Sequence, residues 1–169
     1  MTFVPIPHLV PLGLGLAWAT ISDLRRRRIP NSVSVAILIV GLLVRALDGG
    51  ASAPLSGLAG FALVLAALYV PWRSGWLKGG DVKLAAAVAA WVGLSGLIWF
   101  VLATAVAGGL VSAACYLLTP APVRAEIRAN LTLAMLQGDL SAPQAPRAGR
   151  VTVPYAVAIT AGAAVAFFI

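Results

Sequence analysis

Two acidic residues stand at the edges of long apolar runs in a chain of 169 residues that has only five acids. Asp23 follows the first apolar run, and Asp81 begins a later one. Ionisable groups at membrane depth cost energy and are usually functional or paired. When two carboxyls lie close together they do not both ionise easily, so one keeps its proton. The ionised carboxylate can then activate a water while the protonated one polarises a peptide carbonyl, which is the chemistry of an aspartic protease.

Each acid also has a simpler structural interpretation. Asp23 could pair with the basic stretch Arg25–Arg28, and Asp81 could interact favourably with the N-terminus of the helix that it begins. When each acid is considered alone, the structural interpretation is favoured over a catalytic one. Taken together, the scarcity of acids and their expected position at one membrane face favour a catalytic pair. Gly79 and Gly80 directly precede Asp81 and permit close backbone approach, so we include them as a supporting loop.

Two further residues could contact a substrate or lipid. Lys83 could hold a substrate carboxylate, influence Asp81 or extend to a lipid phosphate, and the sequence favours none of these roles over the others. Asn31 could position a substrate or Asp23, but a role as a helix cap after Pro30 explains it sufficiently.

The sequence contains no pattern typical of a metal or cofactor site. The chain contains one histidine and one cysteine. A catalytic or structural zinc site would need a cluster of such ligands. We therefore expect neither a metal nor a cofactor. Neither do we expect a serine triad, because His8 is predicted on the side of the membrane opposite to the acids.

The composition indicates the class of protein. Charged residues make up 10% of the chain, against about 25% in soluble domains, and the mean hydropathy is +0.98. A soluble domain of this size could not cover so much apolar surface. The apolar residues form long runs and do not alternate as barrel strands would. This pattern excludes a soluble enzyme, a disordered chain and a coiled coil, and it predicts an all-α integral membrane protein.

The apolar runs predict one transmembrane domain, residues 1–169, with six spans. A single helix over residues 82–118 would be about 55 Å long, whereas the hydrocarbon core is about 30 Å thick. We therefore expect a turn at the Gly93–Gly96 cluster. Residues 119–150 form a polar loop with an amphipathic segment on the membrane surface. The approximate spans are residues 3–21, 33–47, 55–70, 82–94, 97–118 and 153–169.

The basic residues predict the orientation. Of the twelve lysines and arginines, eleven fall in the first, third and fifth loops, and Arg45 alone lies towards the other side. Because basic loops stay in the cytoplasm, this pattern places both termini outside. The net charge of +7 then reflects loops beside anionic lipid and does not indicate nucleic-acid binding.

Three segments resemble motifs of the type IV prepilin peptidases. Residues 23–31 (DLRRRRIPN) resemble the first-aspartate motif of that family, and residues 79–84 (GGDVKL) resemble the second. Residues 153–159 (VPYAVAI) resemble the Pro-Tyr element that often begins the last helix. One position differs, because Lys78 stands where the Gly-x-Gly-Asp (GxGD) motif has its first glycine.

The resemblance implies a six-helix transmembrane bundle of the GxGD aspartic protease type, with Asp23 and Asp81 as catalytic residues. It also implies an endopeptidase that cleaves the leader peptide of prepilins or pseudopilins at the cytoplasmic face of the bacterial cytoplasmic membrane. The chain is similar to the short, peptidase-only members that accompany tight-adherence pilus systems. It has neither the length nor the cysteines of the larger members, so no methyltransferase activity is expected.

Two other classes of function remain open. A small transporter or channel subunit could use Asp23 and Asp81 to handle protons or a cation, although such acids usually lie near the membrane midplane. In a non-catalytic assembly protein the two acids would be incidental. The sequence does not indicate an oligomeric state.

Overall fold

The computed structural model describes residues 6–50, 52–137 and 153–168. Within these residues the chain forms helices only, with no strand, so the prediction of an all-α protein is confirmed. The helices are α1 (Ile6–Arg26), α2 (Asn31–Gly49), α3 (Ser52–Arg73), α4 (Gly79–Leu118), α5 (Ala121–Gln137) and α6 (Tyr155–Phe168).

Three of these helices, α2, α3 and α4, are long and apolar enough to cross a membrane, and α6 is a shorter apolar helix. Helix α5 lies in the polar stretch that was expected to form a surface segment. Its Val123 and Ile127 are half-buried, while Glu126 is exposed. The number of crossings and the side on which each terminus lies remain predictions.

Helix α4 is divided by a backbone break at Gly93. This glycine has φ 68° and ψ −174°, which are not helical values, and its positive φ is one that residues with a Cβ rarely adopt. The break lies in the glycine cluster where a turn was expected. It separates an N-terminal part of α4, residues 79–92, from the remainder of the helix.

The N-terminal part of α4 is the centre of the bundle. Its side chains from Leu84 to Ala90 are buried, and most of them are alanines. Helix α4 packs against α2, α3 and α6. Small side chains allow helix backbones to approach closely in a membrane. The central helix thereby presents Asp81, in its first turn, from inside the bundle.

Arg45 of α2 stabilises the break in α4. Its guanidinium donates from Nη1 to the backbone oxygens of Trp91 (2.8 Å) and Val92 (3.3 Å), and from Nε to that of Ala53 (2.9 Å). The carbonyls at the end of a helix have no partner within it. The buried arginine therefore caps the N-terminal part of α4 at the end opposite to Asp81.

Candidate active site

Asp23 and Asp81 are brought together at the end of the bundle where α1 finishes and α4 begins. Asp23 lies in the last turns of α1 and is 1% exposed, and Asp81 is 4% exposed. The carboxyl of Asp23 is close enough to that of Asp81 to act on it electrostatically. Two acids of this chain are thus buried at the same end of the bundle, where they interact electrostatically.

The N-terminus of α6 completes the surroundings of Asp23. The backbone N–H of Ala156 donates to Oδ2 of Asp23 over 3.3 Å. Pro154 and Tyr155 precede this donor, and α6 begins at Tyr155. A helix N-terminus is a favourable place for a negative charge, because its first N–H groups have no partner within the helix. The sequence analysis noted the Pro-Tyr element but did not predict this contact with Asp23.

The two loops that carry the motifs pack directly on each other. A Cβ on Gly80 would lie 3.3 Å from Cβ of Ile29 and 3.5 Å from its backbone oxygen. Carbon atoms in good contact lie about 3.5–4.0 Å apart. In addition, Nζ of Lys78 donates to the backbone oxygen of Arg27 over 3.4 Å. The missing side chain of Gly80 therefore allows the α3–α4 loop to approach the α1–α2 loop.

Lys78, which replaces the first glycine of the motif, does not strain the backbone. It precedes α4 with φ −81° and ψ 146°, which are ordinary values for any residue. Gly79 also has room, because a Cβ there would meet only the side chain of Trp72. The departure from the Gly-x-Gly-Asp pattern is therefore compatible with the position of Asp81.

Lys83, in the first turns of α4, and Asn31, at the start of α2, form a pair. Nζ of Lys83 donates to Oδ1 of Asn31 over 3.2 Å, and both side chains are exposed. The prediction that Asn31 caps α2 is wrong, since Pro30 holds the N-cap position and no side chain caps the helix. The physical reason is that Asn31 is already the first helical residue, so its side chain is free to reach α4.

The other three acids are not part of this site. Asp48 lies in the last turn of α2, where its Oδ2 is 2.7 Å from Nδ1 of His8. Glu126 is exposed on α5. Asp139 and the 141–150 link lie outside the described residues. Among the described acids, Asp23 and Asp81 are the buried ones.

The fold and this site define a class of protein, a helical membrane protein that buries two acids at adjoining helix ends. Residues 11–113, more than half of the chain, match the type IV leader peptidase family. The chain belongs to this family and is a leader-peptidase-type protease, which confirms the resemblance seen in the sequence. Both aspartate motifs lie within the matched residues, and the 153–159 element lies beyond them. No curated protein and no solved structure matches the chain.

Proposed function

We propose that this protein is an integral-membrane aspartic endopeptidase that cleaves the leader peptide from prepilins or pseudopilins at the cytoplasmic face of the membrane. The observation that carries the proposal is the burial of Asp23 beside Asp81 in a member of the leader peptidase family. A carboxyl pair of this kind supplies both an acid and a base without a metal or cofactor.

In the proposed reaction, one carboxylate removes a proton from a water while the other, protonated, carboxyl hydrogen-bonds to the scissile carbonyl. The water oxygen adds to the carbonyl carbon, and the carbonyl oxygen receives the proton of the second carboxyl. The C–N bond of the tetrahedral intermediate then breaks, and the amine leaves with the proton that the first carboxyl had taken. One hydroxyl of the intermediate returns its proton to the second carboxyl, which gives the carboxylic acid product and restores the pair. The reaction requires a single proton on the pair, and like-charge repulsion between neighbouring carboxyls generally favours that state.

The basic residues support a cytoplasmic site. Arg25–Arg28 begin two residues after Asp23 and are exposed. The positive-inside pattern supports a cytoplasmic position for this basic stretch, where a leader peptide is accessible before pilin assembly. The exposed pair of Lys83 and Asn31, in which Lys83 is two residues after Asp81 in the sequence, is the proposed contact for substrate or lipid headgroup.

The experiment compares Asp23→Asn and Asp81→Asn with Asp48→Asn. All three remove one carboxylate, but Asp48 lies at the far end of α2. With the purified protein in lipid and a prepilin bearing a basic leader and an apolar helix, the first two variants should lose cleavage and the third should keep it. Cleavage by a folded Asp81→Asn variant would refute the proposal. Proton flux that depends on either acid, without cleavage by the wild type, would favour a transporter.

A further inference from the structure

A cavity of about 360 Å³ lies between α1 and α2. Gly15 and Trp18 line it from α1, Ala36 and Ile37 from α2, and Trp91 from α4. None of the residues that line it is charged. The indole N–H of Trp91 already donates to the backbone oxygen of Ile37 over 2.6 Å. This cavity, the α1–α2 cleft, therefore suits an apolar occupant, and its volume falls in the range of about 300–1,000 Å³ that is usual for binding sites.

Both helices that carry the acids contribute to the α1–α2 cleft, since α1 carries Asp23 and forms one wall, and α4 carries Asp81 and contributes Trp91. Trp18 and Gly15 precede Asp23 on α1 by five and eight residues, which corresponds to about 7.5 and 12 Å along a helix. Trp91 follows Asp81 on α4 by ten residues, or about 15 Å. The cleft thus lies along the bundle from the acid pair, within the apolar part of both helices.

The side of α1 that faces α6 is occupied by contacts with that helix. Oγ1 of Thr20 lies 3.0 Å from Oγ1 of Thr160 on α6, and Asp23 accepts the N–H of Ala156 from the same helix. The flank that faces α2 contains the cleft, and at its wall Gly15 lets α1 approach Ile37, because a Cβ there would come within 2.8 Å of Cγ1 of Ile37. A chain that leaves the acid pair along α1 therefore finds room on the α2 side.

We infer that the α1–α2 cleft binds the apolar helix of the prepilin, on the side of the scissile bond away from the leader. This inference rests on the proposed function. A peptide bond held between Asp23 and Asp81 continues in one direction as a basic leader and in the other as an apolar helix. The basic leader cannot occupy an uncharged cleft in the apolar part of the bundle, whereas the apolar helix has to remain in the hydrocarbon. The residues that fill the cleft lie about five to ten helical positions beyond the scissile bond.

The test compares Ala36→Trp with Val35→Trp. Both residues are exposed on α2, but only Ala36 lines the cleft. The substrates are a full prepilin and a short peptide that ends three residues beyond the scissile bond. Ala36→Trp should raise KM for the full prepilin by about tenfold, since it fills the space of a buried apolar side chain. It should leave KM for the short peptide unchanged, and Val35→Trp should change neither value.

A photoreactive residue at position 36, in the Asp81→Asn background, then identifies the occupant. Crosslinks to the prepilin at the fifth to tenth residues beyond the scissile bond would support the inference. Crosslinks to lipid alone, or equal KM values for the two tryptophan variants, would overturn it. Absence of any cleavage by the wild type would instead contradict the proposed function, so the two failures can be distinguished.

Discussion

The contact between Gly80 and Ile29 determines how closely the start of α4, which carries Asp81, approaches the α1–α2 loop that follows Asp23. In Gly80→Ala the new Cβ would lie 3.3 Å from Cβ of Ile29, whereas an ordinary carbon contact is about 3.5–4.0 Å. The loops must therefore separate by about 0.2–0.7 Å. A displacement of 1 Å in an active site can reduce the rate by about a hundredfold. Scaled from that value, a separation of about 0.2–0.7 Å corresponds to a loss of kcat of about threefold to 25-fold in Gly80→Ala, and we expect about a hundredfold in Gly80→Val.

The stability of the Gly80→Ala variant should change little. Alanine is favoured over glycine within a helix by about 1 kcal/mol, and tight packing costs about 1–3 kcal/mol, so the two effects largely offset each other. Gly79→Ala is the matched control, because its Cβ would meet Nε1 of Trp72 at 3.3 Å, and the Trp72 side chain is 48% exposed and can move outwards.

The assay measures kcat for prepilin cleavage together with the thermal unfolding temperature in detergent. The expected result is a loss of kcat in the Gly80 variants at a nearly constant unfolding temperature, with Gly79→Ala close to wild type. Equal kcat values for Gly80→Val and Gly79→Val would refute the reasoning that the approach of the two loops positions the acids.

Arg45→Met should destabilise the protein by about 2–4 kcal/mol, because it leaves buried carbonyls at the end of a helix without a donor. Chemical unfolding in detergent measures this loss, and an unfolding midpoint equal to that of the wild type would contradict the capping role. Cleavage by the wild type should depend on pH as a bell-shaped curve whose two limbs belong to the carboxyl pair. A rate that does not change between about pH 2 and 9, the range in which paired and buried carboxyls titrate, would exclude the pair. A reporter fused after Ile169 should behave as periplasmic and one within the 141–150 link as cytoplasmic; the reverse pattern would separate the acids from a cytoplasmic leader.

The parts of the fold that could be predicted from the sequence follow from local patterns. Long apolar runs interrupted by the 23–31 and 71–81 polar segments predict the helices and the loops between them. The two aspartate motifs identify the acids that the fold buries. A break in α4 is expected because a 40-residue helix of about 60 Å greatly exceeds the thickness of a membrane. The glycine cluster that includes Gly93 indicates where this break lies.

Contacts with distant backbone groups could not be predicted in this way. Arg45 was counted only as the one basic residue on the outer side, yet its partners are carbonyls on α4 and near the start of α3. The N–H of Ala156 at Asp23 is a contact of the same kind. Every residue has a backbone carbonyl, and every residue except proline has a backbone N–H, so such contacts leave no signal in residue types. The pairing of Asn31 with Lys83 depends on the register between α2 and α4, which the sequence alone does not give.

The central claim is that Asp23 and Asp81 act as one catalytic unit, and a double-mutant cycle tests it most directly. Cleavage rates are measured for the wild type, Asp23→Asn, Asp81→Asn and the double variant, each purified and folded in lipid. Because the reaction needs both carboxyls, the three variants should show the same residual rate, and the second substitution should have no further effect. Two separate losses that multiply in the double variant, or a single variant with wild-type cleavage, would contradict the claim.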